Sequence, residues 1–216
     1  MLCRPSTPEA IAEAADLLRG GALAIVPTDT VYGIVADVRR DDAVRRIYEA
    51  KGKGTEAPLQ LLFSADPVLV ERYARLTRSA EALLQALGPG SWTIITDAAA
   101  GWESPALAGG RTVGIRIPAA PVAHGLVDAL GAPLAASSAN RHGQPSPATC
   151  LAAVEQVGDH CAIALDAGEA PAGLDSTVVD CTAAGPRILR EGAIDRRTVA
   201  RILGLSEIPV IRSVRR

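Results

Sequence analysis

Hydroxyl groups and one carboxylate follow the first strongly apolar run of the chain. The run covers residues 22–26, and the letters PTDTVYG at 27–33 come directly after it. Small polar ligands often bind where buried strands end, so this segment is a candidate ligand site. Threonine and aspartate also form ordinary turns, and a purely structural role stays open for the segment taken alone.

Two cations stand among glycines near the end of a predicted helix, in the order Lys51-Gly52-Lys53-Gly54. Glycine lets the backbone approach a phosphate closely, and a lysine adds a point charge. The segment could therefore hold a phosphate, or its lysines could interact only with the carbonyl dipole of the helix end. It is not a P-loop, because the pattern G-x-x-x-x-G-K-[ST] is absent.

Two arginines stand in or beside predicted strands. Arg116 lies inside the apolar run TVGIRIP at 112–118, where a charge needs a partner. That partner is either an internal carboxylate or the carboxylate or phosphate of a substrate. Arg190 leaves a later strand and could meet the segment LDST at 174–177, although alone it has the pattern of a surface or paired arginine.

A loop rich in neutral donors lies at 135–147, with the letters AASSANRHGQPSP. Its polar side chains include Ser138, Asn140 and Ser146. Hydroxyls and backbone amides in such a loop can hold a nucleotide, and they can equally be turn chemistry. Both interpretations stay open on these residues alone.

Patterns for several other chemistries are missing. The sequence contains no G-x-S-x-G nucleophile elbow, no H-E-x-x-H zinc motif and no convincing G-x-G-x-x-G after a strand. His124, His142 and His160 lack patterned acidic or cysteine companions, so surface or loop positions are expected for them. The four cysteines lie far apart and are expected to be reduced thiols rather than zinc ligands.

Composition narrows the class of protein. The chain has 216 residues and a formal net charge of −2, which argues against a broadly basic nucleic-acid-binding protein. No apolar run approaches the roughly 20 residues that span a bilayer, so we expect no membrane association and a cytoplasmic location. The length fits a single domain over 1–216, and an aromatic content of 3% predicts an aliphatic core.

Apolar periodicity divides the chain into alternating helices and strands. Helices are predicted from Pro8 with Thr7 as N-cap, from Asp41 as N-cap, at 77–87, 121–130 and 149–157, and from Asp195. Strands are predicted at 22–26, 31–38, 58–63, 92–96 and 112–117 and near Leu134, Ile163, Val178 and Ile188, with the tail 208–216 either an edge strand or loose. The alternation favours an α/β fold, and the short Gly-Pro turn between Val178 and Ile188 makes those two strands antiparallel, so a mixed sheet is predicted.

The order and spacing of these segments resemble the YrdC family of threonylcarbamoyl-AMP synthases, in its short single-domain bacterial form. The colinear matches are PTDTVYG, AKGK to APLQLL, GPGSWT, TVGIRIP, SSAN with GQPSP, LDSTVVD and ILREGAI, all within 20–194. The resemblance implies an α/β fold with a twisted open sheet of mixed parallel and antiparallel strands, flanked by helices. It also implies a positively charged concave surface.

The resemblance further implies a nucleotidyltransferase reaction. The amine of L-threonine captures CO2 from bicarbonate, and the new carboxylate attacks the α-phosphorus of ATP, giving threonylcarbamoyl-AMP and pyrophosphate. A partner transferase then moves the threonylcarbamoyl group to the adenosine beside the anticodon of tRNA. Mg²⁺ is expected with ATP, held by phosphates and water rather than by assigned protein ligands, and a direct contact with tRNA stays open.

Position by position, the resemblance implies a role for each matched residue. Thr30, Arg116 and Ser176 match contacts to L-threonine. The matched contacts to ATP are Lys53, Thr112, Ser138, Asn140, Ser146 and Arg190. Lys51 and Lys53 form the paired basic motif, to which the catalytic role of neutralising phosphate charge is assigned.

The sequence departs from the family pattern at three positions, one of which is Ala136, where some relatives carry a hydroxyl side chain. The basic motif is usually Lys-x-Arg, so Lys53 replaces a bidentate phosphate contact by a point charge. Leu62 stands where some relatives carry a histidine that binds threonine.

Two alternative functions are an enzyme of the same fold that forms a carbamoyl adenylate and an RNA-binding module without turnover.

Overall fold

The structure is a computed structural model that describes residues 1–52, 57–171, 175–182 and 185–211. Lys53, which the sequence assigns to catalysis and ATP, lies outside the described residues. Its predicted roles therefore receive no structural account.

Over the described ranges the chain forms seven α-helices and eleven strands. The helices are α1 (Pro8–Arg19), α2 (Asp41–Ala50), α3 (Pro67–Glu71), α4 (Arg78–Leu87), α5 (Pro121–Leu130), α6 (Cys150–Val157) and α7 (Arg196–Ile202). The strands are β1 (Leu2–Pro5), β2 (Ala24–Val26), β3 (Gly33–Asp37), β4 (Gln60–Leu62), β5 (Ala74–Arg75), β6 (Trp92–Ala98), β7 (Thr112–Arg116), β8 (Leu134–Ser138), β9 (Ile163–Asp166), β10 (Thr177–Asp180) and β11 (Arg187–Arg190). Short 3-10 helices cover Pro105–Leu107 and Gly158–His160.

All the strands join one sheet, in the order β1-β9-β2-β3-β8-β4-β7-β6-β10-β11, with β5 pairing to β6. The strand pairs β1–β9, β2–β9, β4–β7 and β6–β10 are parallel, and the other pairs are antiparallel. The predicted mixed sheet is confirmed, including the antiparallel pairing of Val178 in β10 with β11. In the middle of the sheet, strands that are distant in sequence become neighbours.

Of the two capping residues predicted from the sequence, Thr7 is confirmed and Asp41 is wrong. The Thr7 side chain accepts a hydrogen bond from the backbone N–H of Ala10, and Asp195 accepts two at the start of α7. The prediction of Asp41 as an N-cap is wrong, because Arg40 occupies that position without a side-chain cap bond. Asp41 is instead the first residue of α2, where its negative charge interacts favourably with the helix dipole.

Five short elements were not predicted from the sequence, including both 3-10 helices. Strand β1 is exposed at every residue and β5 has two residues, so neither carries an apolar pattern. Helix α3 has five residues and begins after Asp66, which accepts a hydrogen bond from Val68 N. The tail contributes one isolated bridge, between Val210 and Ile188, and 212–216 lie outside the described residues.

The core is aliphatic, as predicted, and covers both faces of the sheet. The larger cluster joins α1, α2 and α5 to the central strands. A smaller cluster packs α4 and α7 against β6, β10 and β11, around the fully buried Trp92 and Ile94. No helix in the described part of the chain combines the length and apolarity that crossing a bilayer requires.

The cysteines and histidines occupy mixed environments. All four cysteines are free thiols; Cys3 is exposed, and burial raises the pKa of Cys161 and of Cys181 to about 12. His142 and His160 are exposed as expected. The expectation is wrong for His124, which lies on α5 and is half-buried, with its Nε2 atom out of contact with solvent.

Among the glycines of the described ranges, Gly192 leaves the least room for a side chain. A Cβ atom there would lie 2.3 Å from the carbonyl oxygen of Asp175 and 2.6 Å from the carbonyl carbon of Ser176. Gly192→Ala should therefore lower the free energy of unfolding by roughly 1–3 kcal/mol, which is the usual cost of overpacking. Thermal denaturation should show a fall in Tm of about 2–4 °C per kcal/mol.

The matched control is Gly185→Ala. No described atom lies within 4 Å of a Cβ atom built at Gly185, and that residue is exposed. Equal Tm values for the two variants would show that Asp175 and Ser176 do not approach Gly192 this closely.

Candidate functional site

A cavity of about 290 Å³ opens on one face of the sheet, over its central strands. The predicted site residues that line it are Thr30, Thr112, Arg116, Ser138, Ser176 and Arg190. These residues come from five separate stretches of sequence, and the fold brings their side chains to one place.

Strand register explains why the cavity forms there. Gln60 in β4 pairs with both Gly114 and Ala136, and Gly114 in turn pairs with Ile95. Residues that are paired across neighbouring strands point to the same face, so these positions form the cavity floor. A Cβ atom on Gly114 would lie 3.2 Å from Thr93 Cγ2. Glycine therefore leaves space in the cavity that a side chain would fill.

Arg116 lies at the inner end of the cavity and is 3% exposed. Its Nη2 atom donates to Asp29 Oδ1 at 2.7 Å and to Thr30 Oγ1 at 2.8 Å. The internal ion pair considered from the sequence is thus present, with Asp29 also buried. No described group accepts a hydrogen bond from the buried Nε atom of Arg116, although the guanidinium has five N–H donors.

The carboxylate of Asp29 is held from two sides. Ser91, in the loop before β6, donates its hydroxyl to Asp29 Oδ2 at 2.6 Å. Burial lowers the pKa of Arg116 from its ordinary value, and the charge of Asp29 opposes that shift. An arginine remains a cation under such conditions, so the cavity keeps a fixed positive charge at its inner end.

Thr30 is fixed by a turn that Thr28 closes. The Thr28 hydroxyl donates to Val31 O at 2.6 Å and accepts from the backbone N–H groups of Thr30 and Val31. The two threonine hydroxyls are 3.0 Å apart. The PTDTVYG segment is therefore a side-chain-closed turn, and the turn presents Thr30 to Arg116.

A chain of polar side chains crosses the opposite half of the cavity. Arg190 donates to Ser176 Oγ at 3.1 Å, Ser176 Oγ lies 3.0 Å from Thr93 Oγ1, and Thr93 donates to Gln60 Oε1 at 3.0 Å. Arg190 also donates to the backbone oxygen of Ser176 and to Asp175. Its guanidinium thus binds the two residues that precede β10, Asp175 and Ser176.

Lys51 and Asn140 contact Ser138 and do not themselves line the cavity. The buried ammonium of Lys51 donates to the backbone oxygens of Ser138 at 2.6 Å and Asn140 at 2.8 Å. Asn140 donates to Arg141 O and to Gln144 O, and its Oδ1 accepts from the Ser138 hydroxyl. This group, named here the loop clamp, ties the end of α2 to the loop that follows β8.

Ser146 is half-buried further along that loop and does not line the cavity. Six polar residues at the site were not assigned a role from the sequence: Asp29, Gln60, Ser91, Thr93, Ser137 and Asp175. Gln60 and Thr93 carried a usable signal, since each is a polar residue inside an apolar strand, as Arg116 is. Asp29 lay within a segment already singled out, but its partner could not be known.

A larger groove, of about 1010 Å³, runs between α2 and the loop 98–111 and contains none of the predicted site residues. Its arginines include Arg45, within 3.9 Å of Asp41, and Arg75, within 2.8 Å of Asp97. Within the described ranges no group of three or more His, Cys, Asp or Glu residues could hold a metal ion. The smaller cavity is therefore the candidate site.

Comparisons with known proteins find relatives along most of the chain. A protein of Mycobacterium tuberculosis is 36% identical over 195 residues, which are 90% of this chain and 89% of that protein. The threonylcarbamoyl-AMP synthase of Bacillus subtilis is 35% identical over 90% of this chain and 56% of its own length. The crystal structure of Pyrococcus abyssi Sua5 complexed with L-threonine superposes with a TM-score of 0.90 at 31% identity, covering 97% of this chain and 61% of that one.

A family model also matches residues 16–192, which are most of the chain; it is the Sua5/YciO/YrdC model, described as telomere recombination. Relatives above 30% identity along 90% of the sequence support the same assignment. The chain belongs to the Sua5/YciO/YrdC family.

Proposed function

We propose that the chain is a threonylcarbamoyl-AMP synthase, which joins L-threonine, bicarbonate and ATP to form threonylcarbamoyl-AMP and pyrophosphate. The observation that carries the proposal is the convergence of Thr30, Arg116 and Ser176 with Ser138 and Arg190 on one cavity. Relatives that bear this activity in their names, and a relative whose structure contains L-threonine, support it.

In this proposal L-threonine binds at the inner end of the cavity. Arg116 has one nitrogen committed to Asp29 and Thr30 and keeps further N–H donors for the amino acid carboxylate. Asp29 prevents the guanidinium from turning, which lowers the entropic cost of binding the carboxylate. Ser176 offers a second contact on the other side of the cavity.

The nucleotide occupies the outer part of the cavity. Thr112 and Ser138 offer hydroxyls there, and Arg190, which is exposed, offers a cation to the phosphates. Each terminal nitrogen of Arg190 keeps one N–H beyond its bonds to Asp175 and Ser176. Lys53, Ser146 and the Asn140 loop complete the proposed nucleotide site.

The chemistry needs alignment more than a protein nucleophile. The carbamate made from threonine and CO2 is itself the nucleophile: its oxygen bonds to the α-phosphorus, the bond to the bridging oxygen breaks, and pyrophosphate leaves. The protein's task is to hold the two substrates in line and to stabilise charge on the phosphates. In this proposal Arg116 holds the threonine carboxylate and Arg190 holds the phosphates.

Mg²⁺ enters the proposal as the partner of ATP. The cavity is lined by hydroxyls and arginines, and its carboxylate Asp175 already accepts from Arg190, so phosphates and water would supply the metal ligands. The ion would neutralise phosphate charge when bound. The product would pass to a transferase that modifies tRNA, and the cytoplasm, where ATP and tRNA occur, is the proposed compartment.

Lys51 acts in this proposal by holding the loop rather than by touching phosphate. Its ammonium already donates to two carbonyl oxygens of the loop clamp and lies 3.4 Å from Asn140 Oδ1. Removing the ammonium leaves buried oxygens without a donor, whose desolvation is then uncompensated. The catalytic role expected for Lys51 is thus exerted through the position of Ser138.

Purified protein with ATP and Mg²⁺ should release pyrophosphate only when L-threonine and bicarbonate are both present, because the nucleophile forms from these two. An enzyme-coupled phosphate assay after pyrophosphatase measures the release. Pyrophosphate release that needs neither compound, or that needs carbamoyl phosphate instead of threonine, contradicts the proposal, as does RNA binding without any turnover.

Arg116→Lys keeps a positive charge beside Asp29 but loses the planar fork that reaches Asp29, Thr30 and a carboxylate together. The Kd of L-threonine should rise by about tenfold or more, while the Kd of ATP changes much less; each tenfold is about 1.4 kcal/mol. Isothermal titration calorimetry separates the two ligands.

Arg111→Lys is the control, since Arg111 is exposed and lies outside the cavity. Arg116→Ala is less informative, because it leaves the buried Asp29 charge unpaired, which costs about 3–5 kcal/mol of stability. Threonine affinity that is the same in Arg116→Lys and wild type would remove Arg116 from the site.

Lys51→Met distinguishes two roles for the Lys51 ammonium, which either holds the loop or contacts phosphate. If the ammonium holds the loop, Lys51→Met should lower the free energy of unfolding of the ligand-free protein by roughly 1–3 kcal/mol. Arg45→Met, on the exposed side of the same helix, is the control. A ligand-free Tm equal to wild type, with only the stabilisation by ATP lost, would show that Lys51 contacts phosphate instead.

A further inference from the structure

The polar chain across the cavity runs from Arg190 through Ser176 and Thr93 to Gln60. Its three links measure 3.1, 3.0 and 3.0 Å in that order. Ser176 is 2% exposed and Thr93 is 4% exposed, so water cannot easily replace a missing partner. Each of the four side chains also lines the cavity.

The direction of every proton in this chain follows from the number of donors. A hydroxyl has one proton to donate, and an arginine can only donate. The proton of Thr93 goes to the Gln60 carbonyl oxygen, so Thr93 must accept the proton of Ser176. Ser176 in turn accepts from Arg190, and all the donors point from Arg190 towards Gln60.

The reverse direction is unfavourable in the free protein. It would require the amide NH2 of Gln60 to face Thr93, which would then donate to Ser176. The proton of Ser176 would be left without an acceptor, since its only other described partner, Arg190, has none to offer. An unpaired buried hydroxyl proton costs free energy, so the acceptor end of Gln60 fixes the direction.

A ligand in the cavity therefore meets Ser176 as an acceptor. Its proton is committed to Thr93, and only a lone pair remains for the ligand. A lone pair attracts an N–H group and repels a carboxylate or phosphate oxygen. On the proposed function, the group that suits this position is the α-amino group of threonine, whose carboxylate lies against Arg116.

We propose that Gln60 and Thr93 are positioning residues that hold Ser176 as a hydrogen-bond acceptor and thereby select an amino group at this point of the cavity. The inference rests on the proposed function, since it takes threonine as the ligand. It adds that amine recognition depends on two side chains that need not touch the substrate.

Thr93→Val and Thr93→Ser form the test pair. Valine has nearly the same shape and suits a strand, but it cannot accept the proton of Ser176, which is then free to turn into the cavity. Serine keeps the hydroxyl and should restore threonine affinity. Calorimetry is done on wild type and both variants with L-threonine and with 3-hydroxybutanoate, the analogue that lacks the amino group, by displacement where binding is weak.

Thr93→Val should raise the Kd of L-threonine by about 5- to 10-fold, as expected for the loss of one hydrogen bond. It should change the Kd of 3-hydroxybutanoate by less than about twofold. Equal losses for both compounds would mean that Thr93 acts through cavity shape, and unchanged threonine affinity would mean that the direction of the chain is irrelevant. Either result overturns the inference while leaving the proposed function intact.

Gln60→Met serves as the second variant if Thr93→Val does not fold. It removes the last acceptor of the chain, so Thr93 can donate to Ser176, and the same amine-selective loss is expected. Wild-type protein that binds ATP but not L-threonine would contradict the proposed function itself and would remove the ligand that this inference assigns to Ser176.

Discussion

The buried ion pair between Arg116 and Asp29 is the interaction on which the site depends. It joins the end of β7 to the turn after β2, and Ser91 extends it to the loop before β6. A buried pair of this kind contributes little net stability, because desolvation offsets most of the attraction. What it supplies is a cation of fixed position and orientation with donors to spare, in a cavity where water competes poorly.

The mixed sheet is the means by which distant residues meet around that cation. Strand β8 lies between β3 and β4, and β7 lies between β4 and β6, so Ser138, Gln60 and Thr112 stand on adjacent strands. The pleat turns alternate residues to the same face, so these three side chains line the same cavity. At the end of the sheet formed by β6, β10 and β11, aliphatic residues pack against α4 and α7.

Much of this arrangement was predictable from local patterns. The capping residues Thr7 and Asp195, the apolar strand runs and the antiparallel pair after Val178 each follow from a few neighbouring residues. Arg116 stood out as a charge within an apolar strand. The same rule, applied to Gln60 and Thr93, would have added both to the candidate site.

The remaining features depend on contacts that no local pattern contains. The partner of Arg116 is 87 residues away in sequence, and the carbonyl oxygens that bind Lys51 lie on a strand and loop 87 and 89 residues away. From the sequence, Lys51 and Lys53 looked like one pair with one role. The fold gives Lys51 a defined set of oxygen partners, so the two lysines need not act alike.

A crystal structure with L-threonine and a non-hydrolysable ATP analogue tests the central claim most directly, namely that cations and hydroxyls from separate strands form one two-substrate site. The threonine carboxylate should lie about 3 Å from the Arg116 guanidinium, at hydrogen-bond distance, with the phosphates towards Ser138 and Arg190. Density for either ligand in the larger groove beside Arg75, with the cavity at Arg116 empty, would contradict it.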